Sequence, residues 1–271
     1  MSRMKRYLLL IFIFITIVNS LFFTSCKKIT HDPHPSPGGL RLASYSLKID
    51  TNFSYPAGVY IHNTENDNYA FSYDSLNRLI QIFFTSNNPQ KLNQHIAFTY
   101  SNDSIFKSIT SLNTAVLIEN DTFVLNDHGQ LSITFTPNIS TSFQYYENLL
   151  TTVITTNETS RTAVTSTFTS DAGNFLENNS GLGNTFNQNF AYNTGFPDMI
   201  GDYLQINSFT MYGYNIYKVV NLIHTIKETG HTTTVSYGID AYSNITAATA
   251  TTIDSIGNTS IGTYSFQYES Y

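Results

Sequence analysis

The hairpin pattern of this chain is clearest in the stretch Phe71-Ser72-Tyr73-Asp74-Ser75-Leu76-Asn77-Arg78-Leu79. Apolar and polar residues alternate up to Tyr73, as in a strand with one buried face, and a short polar segment follows. An aspartate at the start of such a segment can accept hydrogen bonds from the backbone that follows it, and an asparagine tolerates a positive φ angle. The stretch therefore predicts a strand, a turn and the start of a second strand.

The same pattern recurs along the chain. Two further stretches match it position for position, Phe123-Val124-Leu125-Asn126-Asp127-His128-Gly129-Gln130-Leu131 and Tyr237-Gly238-Ile239-Asp240-Ala241-Tyr242-Ser243-Asn244-Ile245. A weaker copy lies at 170–175 and a shortened one at 143–149. We interpret the copies as hairpin turns formed by Asp74, Asn77, Asp127, Gly129, Asp171, Gly173 and Asp240. Because turns use aspartate so regularly, these acids are predicted to form turns and not to catalyse a reaction.

The composition supports the same interpretation over the rest of the chain. Aromatic residues make up 14% and charged residues 12% of the sequence, with 19 Tyr, 20 Phe and no Trp. Aromatic residues suit a pleated, half-buried surface. We predict one all-β domain over residues 40–271, an antiparallel meander of serial hairpins whose twisted sheet curls into a sandwich or an open barrel. Little or no helix is expected, at most one turn over 197–202.

The turn motif resembles the YD-repeat of Rhs and teneurin shells, whose units contain Tyr-Asp, a few residues and then Gly-Arg-Leu. The matching residues are Tyr73-Asp74 and Asn77-Arg78-Leu79, with asparagine in place of glycine. The resemblance implies β-hairpins from about residue 68 to the C-terminus, and it implies no catalytic residues. The copies are few and irregular, so we do not expect a closed shell of the YD type.

The N-terminus has the features of a signal peptide. A basic start, Met1-Ser2-Arg3-Met4-Lys5-Arg6, precedes an apolar run over 7–18 and then the sequence Asn19-Ser20-Leu21-Phe22-Phe23-Thr24-Ser25-Cys26. The stretch 7–23 is interrupted by polar residues and is short of the roughly 20 apolar residues that a membrane-spanning helix needs. We therefore predict that residues 1–25 are cleaved.

Cys26 is the only cysteine of the chain. The residues before it resemble the bacterial lipobox, with Phe23 where leucine is usual. The resemblance implies that Cys26 carries diacylglycerol and becomes the new N-terminus, so that the lipid bilayer is one partner of the protein. Residues 26–39 then form a Pro/Gly-rich tether between the lipid and the domain.

The whole arrangement is similar to a family of Bacteroidota lipoproteins of unknown function, which implies a cell-envelope protein anchored to the outer membrane. Whether the domain faces the periplasm or the cell surface is left open. Lys27-Lys28 differs from the family's acidic surface-export signals and favours the periplasmic side. Cleavage removes three of the 13 basic residues and none of the 19 acidic ones, so the mature charge is 10 − 19 = −9. Nucleic acid is therefore not an expected partner.

Motifs for chemistry are absent from the sequence, which lacks G-x-S-x-G, H-E-x-x-H and a P-loop. No cofactor and no metal are predicted. His224 and His231 would face each other only across a turn at 227–228, whereas Gly230 favours a turn at 229–230 that pairs His231 with Glu228. The segment Thr64-Glu65-Asn66-Asp67-Asn68 lacks the spacing of a calcium loop and is interpreted as a solvated loop.

Three tyrosines are candidate ligand contacts: Tyr212, Tyr214 and Tyr217. We predict a strand over 211–217 that projects the first two from one face, where they would bind a sugar or a peptide. Cross-strand packing in the core is the favoured alternative. The segments Asp74-Ser75-Leu76, Asp103-Ser104-Ile105 and Asp254-Ser255-Ile256 resemble O-glycosylation sites of exported Bacteroidota proteins, which makes Ser75, Ser104 and Ser255 possible modification sites.

The sequence thus favours an envelope lipoprotein with a non-enzymatic binding or structural role, and a further envelope protein or a glycan is a possible partner. The alternative is a carboxylate-dependent hydrolase acting on envelope or dietary polysaccharide. Such an enzyme needs two carboxyl groups about 5 to 9 Å apart, which sequence spacing alone does not reveal.

Overall fold

The computed structural model describes residues 40–54, 60–180, 186–197, 201–213, 216–217 and 219–271. These ranges contain sixteen strands and the helix α1, Tyr203–Tyr212. The strands are β1 Leu40–Ser54, β2 Tyr60–Tyr73, β3 Leu79–Ser86, β4 Gln94–Tyr100, β5 Ser104–Ser111, β6 Leu117–Leu125, β7 Leu131–Thr136, β8 Ile139–Tyr146, β9 Leu149–Asn157, β10 Thr162–Asp171, β11 Asn174–Ser180, β12 Phe186–Pro197, β13 Asn221–Glu228, β14 His231–Ile239, β15 Ile245–Asp254 and β16 Thr259–Ser270.

The strands form a closed antiparallel barrel in which each strand pairs with its neighbours in the chain and β1 pairs with β16. The β1–β16 pairing runs from Leu40 opposite Ser270 to Asn52 opposite Thr259. The all-β antiparallel meander is therefore confirmed. The expected sandwich or open barrel is wrong, because β1 and β16 complete each other's hydrogen bonds and leave no sheet edge between them.

Closure brings aromatic residues of the first and last strands together inside the barrel. Tyr45 of β1 stacks on Tyr69 of β2, with ring centroids 4.3 Å apart, and also packs against Tyr264 and Phe266 of β16. All four side chains are buried or half-buried. Aromatic pairs of this kind contribute about 0.5 to 1.5 kcal/mol beyond the free energy of the area they bury. These contacts therefore stabilise the pairing of β1 with β16 that closes the barrel.

The connections alternate between two ends of the barrel because consecutive strands run in opposite directions. We call one the helix end; it carries the turns at 74–78, 126–130, 147–148, 172–173 and 240–244. The other, the mouth end, carries the connections at 87–93, 112–116, 158–161, 229–230 and 255–258. Leu40 and Ser270 are paired at the helix end. The described domain therefore starts and finishes at the same end.

The helix α1 lies inside the barrel at the helix end. Its Phe209 packs on Phe71 at 5.7 Å, and its Tyr203 packs on Tyr264 at 5.9 Å. Tyr212 contacts Phe123 of β6 and Phe143 of β8. Contacts from one helix to strands on different sides of a closed sheet place that helix in the lumen. The helix α1 thus plugs the barrel.

The plug begins at Asp202, a fully buried residue that holds both the helix and the wall. Its Oδ1 accepts from the backbone N–H of Leu204 at 2.9 Å, as an N-cap does. Its Oδ2 accepts from the N–H of Ile223 at 3.0 Å and from the hydroxyl of Tyr237 at 2.9 Å. Burial raises the pKa of Asp202, and these hydrogen bonds oppose the rise.

The plug helix ends at Gly213, which has φ 63° and donates its N–H to Phe209. A Cβ on this residue would lie 2.8 Å from the ring of Phe98, so the position needs glycine for space as well as for its backbone. The strand predicted over 211–217 is wrong at its start, since Tyr212 is the last residue of the helix. Within the described ranges, no helical segment has the length and apolar character of a transmembrane helix.

The repeated turns share one hydrogen-bonding pattern. Asp74 Oδ1 accepts from the N–H groups of Leu76 and Arg78, and Asp240 Oδ1 accepts from those of Tyr242 and Asn244. The residue two positions before the second strand has a positive φ angle in each copy: 60° at Asn77, 69° at Gly129 and 68° at Ser243.

Two predicted turn residues need correction. In the second copy Asn126, and not Asp127, accepts the two turn N–H groups, from His128 and Gln130. At 171–174 the chain makes a tighter turn: Asp171 pairs directly with Asn174, and φ is positive at both Ala172 and Gly173. Asp171 therefore ends a strand and does not open the turn.

Candidate binding site in the barrel lumen

The inner wall of the barrel changes character along its length. At the helix end it is apolar and packs on α1. Towards the mouth end, register places polar side chains on the face that Phe71, Phe123 and Phe143 occupy lower down. These inward residues include Asn63, Glu65, Asp67, Ser86, Gln94, Lys107, Ser111, Glu119, Asp121, Thr134, Thr141, Thr155, Ser166, Asn178, Gln188, Glu228, His231, Thr233 and Thr252.

Solvent reaches the rim of the mouth end. Ile139 shares a strand face with Phe143, and Val164 shares one with Phe168, so both point inward. Each is 40% exposed, because Ile139 is the first residue of β8 and Val164 extends past the last described pair of β10 with β11. Deeper polar residues of the same wall, such as Asp67 and Asp121, are buried. We call this polar part of the lumen, which α1 closes at the helix end, the cup.

The first charged group in the cup is centred on Glu65 and Asp67 of β2. Lys91, from the 87–93 connection, donates to Asp67 Oδ2 at 2.8 Å and also to Glu65 Oε1. Asn88 Nδ2 donates to Glu65 Oε2 at 2.7 Å. Burial opposes ionisation of Glu65, but these hydrogen bonds outweigh it and hold its pKa below the ordinary value. The interpretation of 64–68 as a solvated loop is wrong, because these residues form a strand with two carboxylates facing inward.

The second charged group lies on β5 and β6. Lys107 Nζ is 2.8 Å from Asp121 Oδ2 and 3.4 Å from Glu119 Oε1. Burial, together with a hydrogen bond to Glu119, raises the pKa of Asp121 to about 6. The hydrogen bond from Asp121 and the charge of Lys107 lower the pKa of Glu119. Asp121 therefore has a higher pKa than Glu119 and is protonated first as pH falls.

Both groups derive from the same tripeptide, Glu65-Asn66-Asp67 and Glu119-Asn120-Asp121. In each, the glutamate and the aspartate are two residues apart on one strand, so they lie on the same face and share one lysine. The aspartate side chains are 1% and 3% exposed. No N–H or hydroxyl group of the described residues donates to Asp67 Oδ1 or Asp121 Oδ1. Each group thus holds two carboxyl groups, one lysine and a buried oxygen without a donor.

A third polar group lies across the cup. Asn178 donates to Gln188 at 2.9 Å, Gln188 donates to Glu228, and Glu228 forms an ion pair with His231 when the histidine is protonated. The predicted pairing of His231 with Glu228 across a turn at 229–230 is confirmed. His224 instead places Nδ1 3.1 Å from the carbonyl oxygen of Val235. Among the described residues, no group of three His, Cys, Asp or Glu side chains has the arrangement to hold a metal ion.

The structure separates the three candidate tyrosines. Tyr212 and Tyr217 are half-buried aromatic residues of the plug; Tyr217 packs edge-on against Phe175 at 6.0 Å. Burial raises the pKa of both phenols. Tyr214 lies outside the described residues, as does Cys26. Tyr212 and Tyr217 therefore pack with aromatic residues of the core, as the favoured alternative predicted. The contacts do not run between paired strands, because neither tyrosine lies in a strand.

The three candidate glycosylation sites fall near turns. Ser75 follows the turn aspartate Asp74, and Ser255 follows Asp254, which accepts the N–H groups of Ile256 and Asn258 in the same way. Ser104 is the first residue of β5. The aspartate of the first and third tripeptides thus has a structural role of its own, and modification of the serines stays a prediction.

Sequence reasoning missed the charged groups of the lumen. A signal for them exists: the alternation of Glu, Asp and aromatic residues over 65–73 and 119–125 puts the carboxylates on the same strand face as the core. Charged residues in phase with buried aromatics indicate a lumen and not an exposed loop.

Comparison with known proteins identifies the fold and no family. The sequence matches no protein-family model and no curated protein. The structure is similar to that of a porin-like protein from Bacteroides uniformis, with a TM-score of 0.57, 17% identity, and coverage of 88% of this chain and 100% of that one. A porin-like protein from Bacteroides vulgatus has a TM-score of 0.48, 12% identity and coverage of 82% and 97%. The Tc holotoxin pore of Photorhabdus luminescens has a TM-score of 0.27, 9% identity and coverage of 81% and 16%. The first of these shows that the barrel fold is shared.

Proposed function

We propose that this protein is a lipid-anchored envelope protein whose barrel is a non-enzymatic container for a small polar ligand. The observation that carries the proposal is the cup: a barrel closed by α1 at the helix end, whose inner wall is polar towards the mouth end, where solvent reaches the rim. Ligand sites are concave and place a few polar groups among apolar ones, and this lumen has both kinds of surface.

The topology supports an anchor at the closed end. Arg41, at the start of β1, donates to the side chain of Asn77 in the 74–78 turn at 3.1 Å, so the chain enters the domain beside the plug. If Cys26 is acylated, the tether of residues 26–39 joins the membrane to the helix end. The mouth then lies at the end of the barrel away from the attachment point. A ligand can reach the lumen without passing the plug.

Part of the outer wall and the plug support a container. Across β16, β1 and β2 the outward residues in register are Gln267, Ser44 and Ala70, then Ser265, Ser46 and Asn68, then Thr263, Lys48 and Asn66. A barrel in a membrane presents an apolar band to lipid. These three strands present polar residues, whereas Phe83, Phe106 and Phe135 are exposed on the outer face of β3, β5 and β7. Because α1 also plugs the lumen, we favour a container over the pore that a porin-like neighbour suggests.

The carboxyl pairs of the lumen also favour binding over hydrolysis. Asp121 and Glu119 share Lys107, whose Nζ lies 2.8 Å from Asp121 Oδ2 and 3.4 Å from Glu119 Oε1. Glycoside hydrolysis by two carboxyl groups needs them roughly 5 to 9 Å apart, with the scissile bond between them. In each pair a lysine ammonium bridges the two carboxyl groups where a scissile bond would have to lie, so the pairs are better suited to hold charge.

Anchoring is tested by expressing the full chain in a Bacteroidota host with a fatty-acid label. We expect the wild type to carry the label and to remain with membranes, and Cys26→Ala to lose both properties. Ser25→Ala is the matched control, because it changes the neighbouring residue without removing the sulphur. An unlabelled wild type, or a labelled Cys26→Ala, would contradict the anchor.

Ligand binding is tested by native mass spectrometry of the full chain purified from its own envelope. The expected result is a bound mass that is lost in Ile139→Trp, which fills the lumen near the mouth. Phe135→Trp is the control, since Phe135 is similarly exposed, at 44%, but faces outward. A wild type that carries only its own mass, after extraction under mild conditions, would count against a container.

A further inference from the structure

The lumen carries more acid than base, and its bases are already engaged. The three polar groups described above contain five carboxyl groups, Glu65, Asp67, Glu119, Asp121 and Glu228, against Lys91, Lys107 and His231. With both acids ionised, each Glu-Asn-Asp group keeps a charge of about −1 after its lysine is counted. An acidic lumen in a low-dielectric wall attracts cations.

The Glu65–Asp67 group differs from the other in the origin of its lysine. Lys107 belongs to β5 and is 8% exposed, so it is part of the wall. Lys91 comes from the connection at the mouth, and its side chain is 40% exposed. Its ammonium group donates to both carboxylates. Glu65 and Asp67 belong to β2, so the sheet sets their backbone positions and the 87–93 connection does not.

Asp67 supplies a second observation that points to a ligand. Its side chain is 1% exposed, and no N–H or hydroxyl group of the described residues donates to Oδ1. A buried carboxylate oxygen without a donor is costly, by about 1 to 3 kcal/mol or more. Lys91 reaches Oδ2 and leaves this cost in place. Lys91 has two acceptors, Glu65 Oε1 and Asp67 Oδ2. An ammonium group that is not tied to the 87–93 connection can turn its third N–H to Oδ1.

We propose that Glu65 and Asp67 form a binding site for the ammonium group of an aliphatic amine, and that Lys91 occupies this site in the absence of ligand. The inference rests on the proposed lumenal function and names the class of ligand. An ammonium group is the natural guest because the site already holds one in this structure. It carries three donors, which suits two carboxylates that lie side by side.

Lys91 then acts as an internal competitor. A side chain tethered by a short loop is present at an effective concentration of the order of millimolar. A free amine must exceed that concentration to displace it. Removal of the Lys91 ammonium should therefore strengthen amine binding, whereas loss of a purely structural ion pair would only destabilise the fold.

The test uses 1,4-diaminobutane as the probe and isothermal titration calorimetry on the full chain in detergent. We expect Lys91→Met to bind the diamine at least tenfold more tightly than the wild type, and Asp67→Asn in the Lys91→Met background to abolish that gain. Lys48→Met is the control, because Lys48 also pairs with an aspartate, Asp50, but on the outer wall. Thermal unfolding checks each variant, and Lys91→Gln replaces Lys91→Met if the latter does not fold.

Several results would overturn the inference. Equal affinity of wild type and Lys91→Met would do so, as would the same gain in Lys48→Met. Equal binding of 1,4-butanediol, which has no charge, would show that the site does not recognise ammonium. Preference for Ca²⁺ or Mg²⁺ at an Asp67-dependent site would assign it to a metal. If a native ligand is retained in the cup but the diamine does not bind, the container stands and the amine assignment alone fails.

Discussion

Asp121 shows how a single residue of the lumen makes the stability of the whole barrel depend on pH. It lies in the inner wall with its side chain 3% exposed, between Lys107, which favours its charge, and Glu119, which opposes it. Burial and the neighbouring acid outweigh the lysine, and the pKa rises to about 6. The folded protein therefore binds a proton, between about pH 4 and 6, that the unfolded chain releases.

The sign of the effect follows from this difference. Where the folded state holds more protons, stability falls as pH rises. This residue therefore destabilises the fold above about pH 6, and the penalty is relieved progressively as pH falls from about 6 to about 4. The lowered pKa values of Glu65 and Glu119 act in the opposite sense, but only below about their ordinary value of 4.5. The window from pH 5 to 7 thus isolates Asp121 from these two acids.

We predict that the free energy of unfolding of the wild type gains about 1 kcal/mol from Asp121 between pH 7 and pH 5. Urea unfolding of wild type and Asp121→Asn at both pH values measures this gain, since histidine titration is common to the two proteins and cancels. Asp240→Asn, in an exposed turn, serves as the control. A difference between wild type and Asp121→Asn that is the same at both pH values would contradict the raised pKa.

At the scale of the element, the plug depends on one carboxylate. Asp202 accepts hydrogen bonds from the start of α1, from β13 and from β14, so it joins the helix to two strands of the wall. Without it, the buried N–H of Ile223 and the hydroxyl of Tyr237 would each lose this acceptor. Each such group costs about 1 to 3 kcal/mol, and loss of an N-cap costs about 1 kcal/mol.

Asp202→Ala is therefore predicted to destabilise the protein by at least about 3 kcal/mol in urea unfolding. Asp240→Ala is the matched control: Asp240 also accepts two backbone N–H groups, but in a turn where water can replace it, and we expect a much smaller loss than in Asp202→Ala. Similar losses in the two variants would show that the buried contacts to β13 and β14 contribute little.

The strands and turns were predictable from the sequence because both depend on local chemistry. Alternating aromatics and the Asp or Asn at the head of each turn act within a few residues, so the meander and most hairpins follow from them. The plug helix did not follow, since 203–212 has apolar residues on all sides and no polar face to reveal a helical period. Its one local signal was the pair of ends, Asp202 as N-cap and Gly213 as C-terminal glycine.

Closure of the barrel and the lumenal charges depend on contacts between distant residues. The pairing of Leu40 with Ser270 joins residues at opposite ends of the domain, and nothing in either strand alone specifies it. The Glu-Asn-Asp tripeptides become sites only because closure turns one sheet face into a lumen. An isolated sheet with the same sequence would have left these carboxylates in solvent.

At the scale of the molecule, the alternation of turns fixes which end the anchor reaches. Sixteen antiparallel strands return the chain to the end where it began, so β1 and β16 both open beside the plug. An acylated Cys26, with its tether, would therefore join the membrane to the helix end. The mouth, with its amine site, would lie on the other side of the barrel.

Two exposed residues that flank β15 test this orientation. Tyr242 is 77% exposed in the turn at the helix end, and Ile256 is 73% exposed in the turn at the mouth end. Ten residues of strand separate the turns, about 33 Å along the strand and nearer 25 Å along the barrel axis after tilt. Cys26 is the only native thiol and is consumed by acylation, so a cysteine introduced at either position can be labelled alone.

We predict that a fluorophore on Tyr242→Cys in liposome-anchored protein is quenched more strongly by headgroup-labelled lipid than one on Ile256→Cys. The difference should arise because energy transfer falls steeply over a separation of this size, and the tether holds the helix end nearer the bilayer. Release of the domain by cleavage within the tether should abolish quenching at both positions. Equal quenching before cleavage would mean that the barrel lies on its side, and stronger quenching at Ile256→Cys would place the mouth against the membrane and contradict a cup that fills from solution.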